Sequence, residues 1–303
     1  MTANLTEWPE LPLAAWADTF ATVHRWFQIV GKVRMINTPP INHSWHVTLY
    51  VSPRGLTTGT VPADGNAFDI EFDFLDHQLV VRRADGRRLS MPLAGQSVAS
   101  FYRELQRMAR ECALPCAIYP CPNELPDATP FIEDEAHRTY DGEYAQRFWR
   151  ILLGSDRVLR QFRSRFIGKC SPVHFFWGAA DLAVTRFSGR PAPLHPGGIP
   201  NLPDAVTREA YSHEVSSAGF WPGTAPIDYP AFYSYAYPAP AGFAAAAVRP
   251  EAAFYSKDFG EFILPYDAVR TAASPDAVLM EFLTSTYEAA ATLGRWDRAA
   301  LER

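Results

Sequence analysis

The sequence lacks the short signatures that mark the commonest enzyme classes. It has no Walker A loop, no G-x-G-x-x-G after a strand-like run, and no H-E-x-x-H. It has no G-x-S-x-G elbow either. These absences remove P-loop nucleotidases, simple dinucleotide-binding enzymes, common zinc proteases and standard α/β-hydrolases. No nucleotide cofactor motif is left. Cysteine is scarce, with Cys112, Cys116, Cys121 and Cys170 the only four in 303 residues. That number builds no disulfide framework, and the spacing of the first three fits no standard zinc signature. Small buried thiols are the plain reading, and a metal or redox role the sharper one. Positive charge is not in excess: the net charge is −5, which argues against nucleic acid as a partner. No stretch approaches the roughly 18 apolar residues of a membrane span. The N-terminal MTANLTEWPELPLAAW has no basic segment leading into an apolar run. A cytoplasmic, membrane-free protein is the expectation.

What is present suits a sizeable core. Hydrophobic residues make up 48% and charged residues 20%, too little charge for a disordered chain. The length fits one large domain or two smaller ones. Aromatics are abundant, with 20 Phe, 13 Tyr and 8 Trp. They imply either a core of wide rings or a ring-lined pocket.

Periodicity gives an α+β reading. Trp16, Phe20, Val23, Phe27 and Val30 recur at helical steps, predicting a helix over 12–34 with Gly31 near its fraying end. Residues 45–92 read as β. Phe68, Ile70, Phe72 and Phe74 alternate with Asp69, Glu71 and Asp73, whose face is expected to be wet. Asp85-Gly86 predicts a hairpin. A helix over 96–112 and a short strand at 116–119 follow. Residues 120–140 form a Pro-rich, acidic connection, either a domain boundary or a functional loop. Asp141 is a plausible N-cap for a helix interrupted at Gly154. Strands are expected at 172–178 and 181–187, a long ordered loop over 188–230, and strands at 231–237, 252–257 and 259–264. Ser274-Pro275 opens a last helix that Gly294 ends. The order of helix, strands and closing helix recurs. It suggests two related halves, 1–125 and 138–303, each a mainly antiparallel sheet flanked by helices. A duplication of this kind would place a ligand at the seam.

Three segments concentrate reactive side chains. In Asn42-His43-Ser44-Trp45-His46, two imidazoles three residues apart share a metal only if the backbone turns. Otherwise they are structural or ligand-contacting histidines. The segment from Ser171 to Arg190 joins His174 and Trp177 to Asp181, Arg186 and Arg190. Here the arginines are either an anion clamp or half of internal ion pairs. In the expected loop, Tyr211-Ser212-His213-Glu214 leads toward Trp221, offering acid–base groups or surface polarity. Tyr233, Tyr235 and Tyr237 alternate on one strand face, as pocket wall or as core. Glu261 interrupts an apolar strand and needs a partner if buried. Asp134 and His137 read as solvated.

These strings resemble a bacterial family with no assigned function, number five-nine-nine-six among the domains of unknown function. The resemblance runs through Gln28–Arg34, Asn42–His46, Leu49–Val51, Arg54–Thr58, Ser171–Gly178, Asp181–Arg190, Ala210–Gly223, Phe232–Pro238 and Glu261–Tyr266. It implies a single family unit over 1–303 and supplies no reaction, cofactor or catalytic residue.

The reading is an enzyme acting on a small, anionic organic molecule. His43, His46, His174, Asp181, His213 and Glu214 are the expected catalytic groups. Arg186, Arg190, Trp177, Trp221, Tyr233 and Tyr235 are the expected ligand contacts. A divalent metal is left open, with His43, His46, His213 and Glu214 as its ligands. The alternatives are a non-catalytic small-molecule binder or sensor, and a structural protein whose motifs pair only with each other.

Overall fold

The computed structural model describes residues 7–63, 65–224 and 227–303. The first six residues, part of the stretch judged free of an export signal, lie outside these, as do Asp64, Ala225 and Pro226. The fold is mixed α/β, with two antiparallel six-stranded sheets among the described residues, flanked by helices.

Helix α1 (Leu13–Asn37) is the axis of the molecule. From Thr22 to Arg34 every residue is buried, as expected of a helix covered on all sides. Phe27 touches Phe72 and Phe74 of one sheet, Phe175 of the other and Phe148 of a flanking helix. Gly31 is not a fraying end but lies inside the helix. A Cβ there would stand 2.2 Å from the Trp177 ring, so glycine makes the seat for that indole.

The first sheet takes β1 (Tyr50–Val51), β2 (Gly55–Thr57), β3 (Val61–Ala63), β4 (Asn66–Asp73), β5 (Gln78–Arg83) and β6 (Arg88–Pro92). The order is β1-β2-β4-β5-β6, with β3 also on β4. The Asp85-Gly86 hairpin forms, with Gly86 at φ 90°. The acidic face of β4 is not wet. Glu71 and Asp73 are buried. Arg82 binds Asp69 and Glu71, Arg54 binds Asp73, and Ser52 donates to Glu71 at 2.6 Å. Buried carboxylates need such partners, and the alternation alone does not show them.

Helix α2 (Val98–Glu111) is capped by Ser97, and α3 (Gly142–Ser164) by Asp141. α3 runs through Gly154 without a break. The expected strand at 116–119 does not form. The connection over 120–140 folds back onto α1, where Arg25 binds Asp127 and the buried Asp134. Asp134 also holds His137 at 2.9 Å, so neither is a free surface group.

The second sheet comprises β7 (His174–Phe176), β8 (Asp181–Pro191), β9 (His213–Trp221), β10 (Ala231–Tyr237), β11 (Phe254–Ser256) and β12 (Glu261–Pro265), in the order β11-β12-β10-β9-β8-β7. The expected loop over 188–230 instead holds the end of β8, α4 (Asp204–Ala210) and the central strand β9. Serines, Ala218 and Gly219 conceal the β pattern of that strand, because it is covered on both faces. α5 (Tyr266–Arg270), α6 (Pro275–Leu293) and α7 (Arg298–Leu301) complete the chain. Leu49 and Phe175 exchange backbone hydrogen bonds of 2.9 and 2.8 Å, joining the sheets. One buried cluster runs from Trp8 to Trp296 through both halves. Among the described residues no helix is long and apolar enough to cross a membrane.

Candidate functional site

Side chains alternate across a strand, so register assigns each residue of the second sheet to a face. Asp181, Ala183, Thr185 and Phe187 of β8 share one face with Ser217, Gly219 and Trp221 of β9. Tyr233 and Tyr235 of β10, with Ile263 and Glu261 of β12, continue it. Small residues at Ala183, Ser217 and Gly219 leave this face concave. Against it lies a cavity of about 1060 Å³, as large as an organic ligand needs. Its other walls come from Lys32 of α1, the 43–47 turn, the 119–124 segment, Trp177, and the 199–211 stretch that includes α4.

Three carboxyl groups face this space: Glu124, Asp181 and Glu261. Among the described residues none of them has an ion-pair partner. Burial pushes Glu261 up to about 8, with help from the charge of Asp181. Burial and the same neighbour push Glu124 up to about 7. Asp181 is raised by burial to about 6, held back by the hydroxyl of Tyr233, which donates to its Oδ2. Tyr235 and Tyr211 share a hydroxyl–hydroxyl bond of 2.9 Å beside them. Burial raises Tyr211 to about 12 and Tyr233 and Tyr235 well above their ordinary range, so all three stay neutral.

Lys32 is the cavity's lysine. Burial lowers it to about 8. Its ammonium donates to Asn123 Oδ1 and lies 5.2 Å and 5.5 Å from the rings of Tyr119 and Trp177. Among the described residues it forms no ion pair with the three carboxyl groups. Backbone strain gathers here too. His43, Ser44, Glu124 and Asn201 all line the cavity and all hold left-handed φ values between 54° and 60°. Such non-glycine residues are uncommon and cluster at functional sites.

The three sequence segments do meet, around Trp45. The His43 ring lies 5.3 Å from Trp45 and 6.3 Å from His213, and His174 lies 6.3 Å from Trp45. The histidines do not combine into one catalytic group, however. His43 donates from Nδ1 to Ala210 O at 3.1 Å and accepts from Lys169 at Nε2, 2.6 Å away. Burial and the Lys169 charge lower its pKa. His46 Nδ1 accepts from the Ile41 amide at 3.2 Å, and burial lowers its pKa as well. His213 bonds Ser212. His174 is fully buried between the rings of Trp45 and Phe176, with no partner for either nitrogen among the described residues, and burial lowers it to about 3.

The expected metal quartet of His43, His46, His213 and Glu214 is likewise dispersed. Among the described residues no group of three or more His, Cys, Asp or Glu side chains is placed to hold a metal. The four cysteines are free thiols, and Cys121 lines the cavity.

The arginine clamp does not form in the cavity, and strand parity is the reason. Arg186 and Glu214 sit on the opposite face of their strands from Asp181 and Gly219. Arg186 stacks 3.5 Å from the Phe162 ring and donates to Phe162 O; burial lowers it to about 10. Glu214 accepts from Arg190 at 2.6 Å and from Ser188 at 2.8 Å. Arg190 also donates to the carbonyls of Gly294 and Arg295 at the end of α6. The pair closes a helix terminus, where a cation is favourable. Trp177, Trp221, Tyr233 and Tyr235 do line the cavity.

Sequence reasoning missed Lys32, Glu124 and Tyr211. Glu261 carried a signal, as a lone charge in an apolar strand. Lys32 and Glu124 carried none, one inside an all-round buried helix and the other in an aperiodic connection. No curated protein and no solved structure matches the chain. The model of a family of unknown function (DUF5996) matches residues 8–303, and the chain belongs to that family.

Proposed function

We propose that the chain is an enzyme that acts on a small organic molecule in this cavity by acid–base proton transfer. Asp181 is the base and Glu261 the acid. The observation that carries the reading is the set of three carboxyl groups facing one aromatic cavity without cationic partners among the described residues. Near pH 7 the two environments hold Asp181 mostly ionised and Glu261 mostly protonated. One group then accepts a proton while the other gives one. Tyr233 positions Asp181 and favours its charged form. Trp177, Trp221 and Tyr235 supply flat surface for the ligand. Arg186 and Arg190 are engaged outside the cavity and supply no anion site there.

The test is a thermal-shift screen of small molecules, followed by NMR detection of product from each stabilising compound. Wild type should convert at least one of them, and Asp181→Asn should lose that conversion while keeping the fold. Stabilising compounds that wild type never converts would replace this reading with the non-catalytic binding or sensing one.

A further inference from the structure

The cavity carries more negative than positive capacity, and its own lysine does not correct this. Lys32 is held by Asn123 and by two rings on the α1 side. Glu124 has no hydrogen-bonding or ionic partner among the described residues. Its side chain packs over Gly178, where a Cβ would stand 1.9 Å from Oε1, so the chain is shaped to bring this carboxyl close. Asp181 has the Tyr233 hydroxyl and its own backbone amide, and no cation beside it among the described residues. Two neighbouring carboxyls left without a counter-ion in a partly dry site are costly. Around them stand the faces of Trp177, Trp221, Tyr233 and Tyr235, and an electron-rich ring face attracts a cation.

We propose that the ligand of this cavity is an organic ammonium ion, whose charged nitrogen sits between Glu124 and Asp181 against the aromatic wall. This rests on the cavity being the functional site and names the ligand class for it. The ligand supplies the missing positive charge, and the rings replace part of its hydration. Glu261 keeps its proton for chemistry. Other titratable groups facing the pair are Glu261, Tyr211, Tyr233 and Tyr235, with Lys32, Tyr119, Cys121, His43 and His46 elsewhere on the wall. The tyrosines remain neutral, so ionisation of Asp181 and Glu124 governs affinity up to about neutral pH, above which Glu261, raised to about 8, adds its charge in the same direction. Each is raised in the free protein, so affinity for a cation rises with pH as they lose their protons.

Isothermal titration calorimetry tests this with choline, benzyltrimethylammonium and a primary benzylamine as probes. Controls are the uncharged isostere of choline, in which tert-butyl replaces trimethylammonium, and benzoate. At least one ammonium probe should bind about tenfold or more tighter than its neutral counterpart. Its affinity should rise severalfold between about pH 5.5 and about pH 8. Glu124→Gln should remove most of the preference for charge and leave binding of the neutral isostere unchanged, which shows that the cavity still folds. Equal binding of charged and neutral probes, tighter binding of benzoate, or no binding of any ammonium probe would overturn the proposal. Ammonium binding with no turnover of any bound compound would sink the acid–base reading alone. Turnover of a neutral or anionic compound, without ammonium preference, would sink this inference alone.

Discussion

Gly219 and Tyr233 face each other across the β9–β10 pairing, and the missing side chain of Gly219 is what lets the Tyr233 hydroxyl reach Asp181. A Cβ at Gly219 would stand 2.7 Å from that hydroxyl and 2.2 Å from the Leu182 carbonyl oxygen. Three strands thus cooperate in one hydrogen bond: β8 gives the acceptor, β10 the donor and β9 the gap.

Gly219→Ala should therefore damage both fold and site. The Leu182 contact is to backbone and cannot swing away, so a loss of about 2 kcal/mol or more is expected in denaturant unfolding. Tyr233→Phe removes the hydroxyl alone. It should leave stability within about 1 kcal/mol and raise the Asp181 pKa. A Gly219→Ala protein as stable as wild type would contradict the packing described here.

Gly178→Ala gives a contrasting case. The obstructed atoms are the far end of the Glu124 side chain, 1.9 Å and 2.7 Å from the new Cβ. A flexible carboxylate can turn aside, so the melting temperature should change by only a few degrees. Ligand affinity should fall with it, tracking the loss in Glu124→Gln. Unaltered affinity would show that Glu124 does not contact the ligand.

Much of the scaffold was legible in the sequence. Asp141 and Ser274 open helices where the local pattern says, and the Asp85-Gly86 hairpin needs only its own residues. What was lost depends on partners distant in sequence. β9 reads as a loop because its small residues answer to both a cavity and the helices behind the sheet. Glu71 and Asp73 read as wet because Arg54 and Arg82 cover them. Arg186 was in part readable: it is odd against Asp181 in strand parity, and parity alone removes it from the cavity side. Glu124 was not readable, since an irregular connection has no period to place it.

His174 should cost stability rather than confer it. Its two nitrogens are buried without partners among the described residues. An apolar replacement, His174→Leu, should stabilise the protein by about 1 kcal/mol near neutral pH. Below the ordinary histidine range the difference should widen. The folded protein refuses a proton down to about 3, while the unfolded chain accepts one from 6.5 downward. The proton-linked penalty of His174 is therefore absent above pH 6.5 and grows as pH drops from there. His24, lowered by burial to about 4, adds a similar acid loss that the variant retains. Urea unfolding from about pH 7 to about pH 4.5 should show a shallower decline in His174→Leu than in wild type. An equal or steeper decline would mean that a partner for His174 exists in solution.

Among the described residues Glu124, Asp181 and Glu261 stand around one cavity without an ion-pair partner, with their proton affinities raised and spread apart. This arrangement is tested most directly by carboxyl titration of the free protein, followed by carbon-13 NMR in wild type, Asp181→Asn, Glu124→Gln and Glu261→Gln. Wild-type carboxyl transitions are expected near 6, 7 and 8, of which one disappears in each variant, the highest in Glu261→Gln. All three titrating below about 5, in the ordinary carboxylate range, would contradict it.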